Sequence, residues 1–252
     1  MIRTKFNTQF VRVFIQYTMI RPQQNYNILF TSDGSHTVAR TDQLHLFHSK
    51  HGAIQESQHI FITHGLEYFR NLHRKLQVIN VLEIGFGTGL NALLSLLAQP
   101  RLNAVIHYTA IDKHPLPQSV IQRLNHSTLL ELNNETKRYY LSWFDEMRYP
   151  IRNLPFFDFS LSVHHLDYLE YDTANTYDLI FYDAFGPDEN PEMWSDTALA
   201  KVNKLLSPGG QMLTFCAKGS VKRALKALGL MVENPPGPPG KREMTRCTKI
   251  AN

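Results

Sequence analysis

The chain has 252 residues, 43% of them hydrophobic and 19% charged, which fits one large α/β domain or a domain plus a small appendage and excludes a disordered chain. Two cysteines, Cys216 and Cys247, cannot build a disulfide framework and fit a reducing compartment, and no four-ligand zinc spacing surrounds the scattered histidines or the His164-His165 pair. The net charge of +4 is split: residues 141–200 hold twelve acids against Arg148 and Arg152, whereas from Lys201 onward ten basic residues oppose only Glu233 and Glu243, which suits either an anionic partner such as nucleic acid or a solvated charged face.

In chain order, residues 1–26 read as an extension outside the fold. The first 18 are basic and free of acids, and their apolar stretch FVRVFI is broken by Arg12 and lacks a clear cleavage site, which argues against a secretory signal. The composition fits an organelle presequence. Met19, just before the first well-patterned segment, fits equally well a start codon assigned too early. No apolar run reaches the ~18–20 residues of a membrane span. The two cysteines, read as ordinary thiols, make a cytoplasmic location the expectation.

Residues 27–77 read as a small N-terminal cap. Asp33-Gly34 sits between two short strand-like runs in NILFTSDGSHTVAR and predicts a hairpin turn. In GAIQESQHIFITHGLEYFRNL, Ile54, Ile60, Phe61, Leu66 and Phe69 fall on roughly one helical face, with Gly65 as a candidate interruption.

From Val78 to the end the pattern alternates between strand and helix. VINVLEIG, AVIHYTAID, FDFSLSVHH, YDLIFYDAF and QMLTFCA are the predicted strands. Helix LNALLSLLA follows the first strand, and helical pieces fill 115–147 with a break at Asn133-Asn134. PEMWSDTALAKVNKLL and SVKRALKALG flank the fifth strand, and REMTRCTKI reads as an added antiparallel edge strand. Alternation of this kind predicts a Rossmann-like α/β domain over 78–252, with a mostly parallel sheet covered on both faces.

LEIGFGTGLN places Gly85, Gly87 and Gly89 after the first strand and before a helix, where a ligand can approach the main chain. A dinucleotide site wants a glycine where Leu90 stands. The acid Glu83 would repel a diphosphate but suits a cofactor with a cationic end. Asp112 ends the second strand about 20 residues on, where an acid takes ribose hydroxyls, and Asp167 follows the third. Either aspartate could instead be a helix cap. Three acids at the ends of three successive strands converge on the crevice where open α/β sheets bind ligands.

The fourth strand stops at Asp183, followed by the stiff loop AFGPDENPEMW. A carboxylate there could orient an amine and take its proton. Phe185 could wall the site or stack on an unstacked base, and Trp194 reads as a core residue.

These segments resemble known sequences. GFGTGLN resembles the glycine motif of class I methyltransferases, which implies S-adenosylmethionine as cofactor. DAFGPDENPEMW closely resembles the signature of the tRNA 5-methylaminomethyl-2-thiouridine methyltransferase family, the methyltransferase half of a bifunctional bacterial tRNA-modifying enzyme. Further matches are Gly52, Glu56 and Ser57 of a G-x-x-E-S element, TFCAKG at 214–219 and GKREM at 240–244.

The resemblance implies a class I fold with a seven-stranded sheet. It also implies methylation of the aminomethyl group on the tRNA wobble uridine. Asp183 and Phe185 would form the catalytic pair. Glu83, Gly85, Gly87, Gly89, Asn91, Asp112 and Asp167 would hold the cofactor, Asp167 against the adenine amine. Leu166 departs from the glycine common before that acid. Lys218, Lys222, Arg223, Lys241 and Arg242 are candidate tRNA contacts, with Lys218, Lys241 and Arg242 foremost, and the Pro-Gly run 235–240 would fix a rim loop. The family's flavin-dependent oxidase half is expected to be absent, so the chain is expected not to perform the oxidative step, and a separate oxidase acting upstream is an expected partner. An aminopropyltransferase or other small-amine enzyme of the same fold, and a non-catalytic cofactor-binding module, are the alternatives.

Overall fold

The computed structural model describes residues 26–41, 45–145 and 158–251. Residues 1–25 of the expected extension, with the Met19 and presequence readings, lie outside the described residues.

Strands β1 (Tyr26–Phe30) and β2 (His36–Arg40) form the expected antiparallel hairpin. Gly34 takes φ +81° in the turn, a conformation glycine adopts without strain. Asp33 ties the turn together. Its Oδ1 accepts from the Thr31 hydroxyl and the Ser35 N–H, and its Oδ2 accepts the Gln55 N–H at 2.9 Å, satisfying a donor that the start of the next helix leaves open.

That helix, α1, runs without a break through Ala53–Ser57, Gln58–Glu67 and Tyr68–Leu72, its middle ten residues wound as π-helix. Gly65 does not interrupt it. A Cβ there would stand 3.4 Å from the Leu213 methyls, so the glycine allows close approach to the sheet. Ile60, Phe61, Ile62, Leu66 and Phe69 belong to the same buried core as the central strands. The helical half of the expected cap therefore covers one face of the main sheet.

Next come β3 (Val78–Ile84), α2 (Leu90–Leu102) and β4 (Val105–Ile111). Short helices α3 (Gln118–Ile121), α4 (His126–Leu129) and α5 (Asn134–Ser142) follow. Asn133 is the N-cap of α5 and accepts the Thr136 N–H at 2.8 Å, the physical form of the predicted break. Then come β5 (Phe159–His164), β6 (Tyr177–Tyr182), α6 (Asp196–Leu205), β7 (Leu206–Thr214), α7 (Gly219–Ala227), β8 (Leu230–Glu233) and β9 (Thr245–Lys249). The helix expected across 191–206 is divided: Pro191–Trp194 is a 3-10 turn, and Ser195 caps α6.

The seven strands are ordered β5-β4-β3-β6-β7-β9-β8. Strand β9 is antiparallel to both neighbours, as its sequence suggested, but it is not the edge. The edge is β8, four residues whose pattern carried no strand signal, and β9 gains ladder partners on both sides by lying inside it. In the central strands alternate residues serve opposite cores. Val81, Leu179 and Phe181 face α1 and α2, while Leu82, Ile180 and Tyr182 face α6 and α7.

The hairpin docks on α4 through buried polar contacts. His126, fully buried, donates from Nε2 to the His36 carbonyl at 2.7 Å. Asn125 accepts the His36 N–H and donates to the Gly34 carbonyl, each at 2.8 Å. Burial holds His126 down to about 4 and the neighbouring His48 down to about 3, against an ordinary value of 6.5. Between those values the unfolded chain binds more protons than the folded one. Stability is therefore expected to fall as pH drops from about 6.5 toward 4. Urea melts across that range check this, and His126→Gln should flatten the slope.

Candidate active site

The sheet's direction of winding reverses between β3 and β6, and the crevice at the carboxyl ends of the strands opens there. A cavity of about 540 Å³ occupies it. Its floor carries Gly85, Gly87 and Asn91 from the β3–α2 turn, Asp112 from the end of β4 and Asp167 beyond β5. Asp183 and Phe185 follow β6, and Lys241 enters from the loop before β9. Residues from five separate stretches thus meet around one space.

Gly85 stands where two backbones touch. Its φ is +95°, and an added Cβ would lie 2.5 Å from the Asp183 carbonyl oxygen, so only glycine lets the loops after β3 and β6 lie side by side. Asp112 braces the glycine loop: Oδ2 accepts the Gly87 N–H and Oδ1 the His114 N–H, both at 2.8 Å. Asp167 caps the 3-10 turn Tyr168–Glu170 through the Leu169 N–H and pairs with Lys113 at 2.8 Å. The Lys113 ammonium holds its carboxyl below the ordinary carboxylate value.

Glu83 is not where the sequence suggested. It is fully buried beneath the glycine loop and does not line the cavity. Gly89 also lies off the cavity, at the N-cap of α2 with φ +69°. The reason for Glu83 is strand parity: it shares the sheet face of Val81, which α2 covers. Asp183 falls on that face too, one β-step beyond Phe181, the strand partner of Glu83. Asn91 at the start of α2 lies over both acids. Its Nδ2 donates to Glu83 Oε1 and to Asp183 Oδ2, each at 2.8 Å.

One amide thus bridges two carboxyl groups. Burial pushes the Glu83 carboxyl well above the ordinary range, with the charge of Asp183 adding to the rise and the Asn91 bond opposing it. Asp183 keeps one face on the cavity but is otherwise packed among protein atoms. That burial raises it to about 7; the Asn91 bond and the charge of Lys241 pull it down, and the charge of Glu56 pushes it up. A carboxyl that titrates near neutrality can hold or accept a proton there.

The loop after β6 is cross-braced by hydrogen bonds. Asn190 N–H donates to the Gly186 carbonyl at 2.8 Å. Trp194 is buried against Tyr182, as a core residue should be, and also donates from Nε1 to the Phe185 carbonyl at 2.8 Å. The Tyr182 hydroxyl donates to the Met193 carbonyl. The Phe185 ring meets Phe47 edge to face at 5.2 Å, making an apolar wall.

The basic candidates separate. Lys241 lines the cavity, but Lys218 and Arg242 do not. Lys218 pairs with Asp188 of the β6 loop at 2.5 Å, Lys222 with Glu243 at 2.7 Å and Lys241 with Glu56 at 2.6 Å. Arg223 and Arg242 are exposed. Glu56, Ser57, Phe47 and Phe215 line the cavity and had no assigned role from sequence. The G-x-x-E-S and TFCAKG elements were the available signals for three of them.

A cationic, adenosine-bearing methyl donor fits this lining. Gly85 and Gly87 open the main chain to the cavity, Asp112 presents a carboxylate at its rim, and Asn91 Oδ1 is a buried acceptor without a partner. Among the described residues no group of His, Cys, Asp and Glu could hold a metal ion, and no helix is long and apolar enough to cross a membrane.

A family model described as S-adenosyl-L-methionine-dependent methyltransferase matches residues 131–250. Among curated proteins, two named tRNA 5-methylaminomethyl-2-thiouridine biosynthesis bifunctional protein MnmC are similar. That of Cupriavidus metallidurans is 29% identical over 226 residues, covering 86% of this chain and 33% of that protein. That of Magnetococcus marinus is 31% identical over 212 residues, covering 78% and 30%. The chain spans about a third of the length of the curated relatives it matches. The solved structure of MnmC2 from Aquifex aeolicus shares the fold, with a TM-score of 0.68 and 24% identity over 99% of this chain and 80% of that one.

Proposed function

The chain belongs to the S-adenosyl-L-methionine-dependent methyltransferases of the MnmC family, and from that premise we propose that it methylates the 5-aminomethyl group of a tRNA wobble uridine, giving 5-methylaminomethyl-uridine. The observation that carries this reading is Asp183: a carboxyl raised to about 7 that shares one cavity with the glycine loop.

Bound S-adenosylmethionine supplies the electrophilic methyl group. Gly85, Gly87, Asn91 and Asp112 would hold it, with Asp167 toward the adenine. Glu83 acts at one remove, by fixing Asn91. An alkyl amine is mostly protonated at neutral pH, since its ordinary pKa is about 10.4, and must lose a proton before its lone pair can attack. Ionised Asp183 receives that proton and orients the amine in line with the methyl group. Phe185 and Phe47 wall the apolar side, where a base splayed from the anticodon loop would stack. Arg242 and Lys218 lie outside the cavity, where tRNA phosphates would pass. Such a reaction belongs in the cytoplasm with its tRNA.

The test is incubation with labelled S-adenosylmethionine and tRNA from cells lacking this modification, followed by nucleoside analysis. Labelled 5-methylaminomethyl-uridine is the expected product. Methylation of a free polyamine, aminopropyl transfer, or cofactor binding without turnover on any tRNA would each overturn the assignment.

A further inference from the structure

Lys241 reaches the cavity from a loop with little freedom. The run PPGPPG at 235–240 is closed by three backbone bonds: Met244 N–H to the Pro235 carbonyl at 3.0 Å, Lys241 N–H to Pro238 at 2.9 Å and Gly237 N–H to the Arg242 carbonyl at 3.2 Å. His59 Nε2 adds a bond to the Pro236 carbonyl at 2.8 Å. Held in this way, the Lys241 ammonium stands 4.2 Å from the centroid of the Phe215 ring and 2.6 Å from Glu56 Oε1. Glu56 is 9% exposed, and its Oε2 accepts the Ser49 N–H at 2.9 Å. Both ends of the pair line the same cavity as Asp183.

A phosphate contact needs an ammonium turned toward solvent. This one is turned inward, onto a buried carboxylate and an aromatic face. We infer that Glu56 and Lys241 form a positioning pair for methyl transfer: they wall the substrate end of the cavity and set the field in which Asp183 takes up a proton. This rests on the amine-methylation reading and assigns to its site two residues that act through Asp183.

The groups that bear on Asp183 come from every side of it. Asn91 donates to it from α2. The negative charge of Glu56, from α1, opposes its ionisation, and the positive charge of Lys241, from the loop before β9, favours it. Glu83 and Tyr108 lie on the strands beneath, both buried. Glu56 and Lys241 are thus a charged pair whose two halves pull Asp183 in opposite directions.

The test uses the full chain with carboxyl-labelled aspartate. The Asp183 signal is assigned by its loss in Asp183→Asn and followed by NMR across pH 5–9. Glu56→Gln should lower the midpoint and Lys241→Met should raise it, each by roughly 0.5–1 pH unit at low ionic strength. The double variant should return close to wild type, and Lys241→Arg, which keeps the charge, should leave the midpoint in place. The acid limb of kcat should move with it in each variant. Shifts of the same sign in both single variants, or an unmoved midpoint in either folded single variant, would overturn the inference. If one single variant does not fold, the sign of the shift in the other decides. Failure of the wild type to methylate aminomethyl-uridine tRNA would refute the functional reading alone, because the titration does not depend on turnover.

Discussion

Asp183→Asn should lower methyl transfer by about 10²–10⁴-fold, the usual worth of a positioned acid or base, while cofactor binding and fold are retained. The fold argument rests on the Asn91 contact. Asp183 accepts from Asn91 Nδ2 through Oδ2, and an asparagine carbonyl oxygen in the same place accepts that bond equally well. The stability argument has a definite sign. The carboxyl is raised from 3.8 to about 7 on folding, so between those values the folded chain binds the proton more tightly than the unfolded chain. Its contribution to stability is present below about 3.8 and lost as pH rises through about 7. At pH 8 wild-type Asp183 is an ionised group with too little solvation, and the neutral amide removes that cost. The melting temperature of Asp183→Asn at pH 8 should equal or exceed that of the wild type. For the wild type, kcat should rise with pH through an acid limb near 7. Undiminished turnover in the variant would sink the assigned role, and a lower melting temperature at pH 8 would contradict the burial argument.

Asn91→Ala should do harm of a different kind, damaging fold and chemistry together. Asn91 is 4% exposed, and its amide is the hydrogen-bond donor shared by Glu83 and Asp183. The truncation takes the Asn91 bond from the fully buried Glu83 carboxyl and leaves it the neighbouring Tyr108 hydroxyl. One orphaned buried polar group costs about 1–3 kcal/mol, and two losses with a small cavity make a destabilisation of roughly 2–4 kcal/mol reasonable. The Asn91 bond also pulls Asp183 down, so without it Asp183 titrates higher. Activity at pH 7 should fall by more than 10-fold and recover in part at pH 9, as the carboxyl ionises again. Urea melts measure the first effect and the pH dependence of kcat the second. A variant as stable as wild type with an unmoved pH profile would show that the bridge does not matter.

How much was legible in advance depends on the distance over which each feature is determined. The glycine loop, the Asp33-Gly34 turn, the break at Asn133-Asn134 and the buried strands are written in a few adjacent residues, because turn chemistry and period-two burial are local. Asp183 was legible for a related reason: a carboxylate at the end of an apolar strand has a known place in a parallel sheet. The edge strand β8 was missed because four residues carry too little pattern. The continuous α1 was misjudged at Gly65 because its reason for glycine, contact with Leu213, lies on another element.

By itself, then, the sequence determined the order of strands and helices, the loop able to receive a cofactor, and the acid that ends β6. Tertiary structure alone decided which charged groups meet. Glu83 went beneath the site because α2 covers the sheet face that strand parity gives it. Lys241 turned from an expected phosphate contact into the partner of Glu56, a residue 185 positions away. Pairings at that range follow from how closed surfaces pack, and no local pattern encodes them.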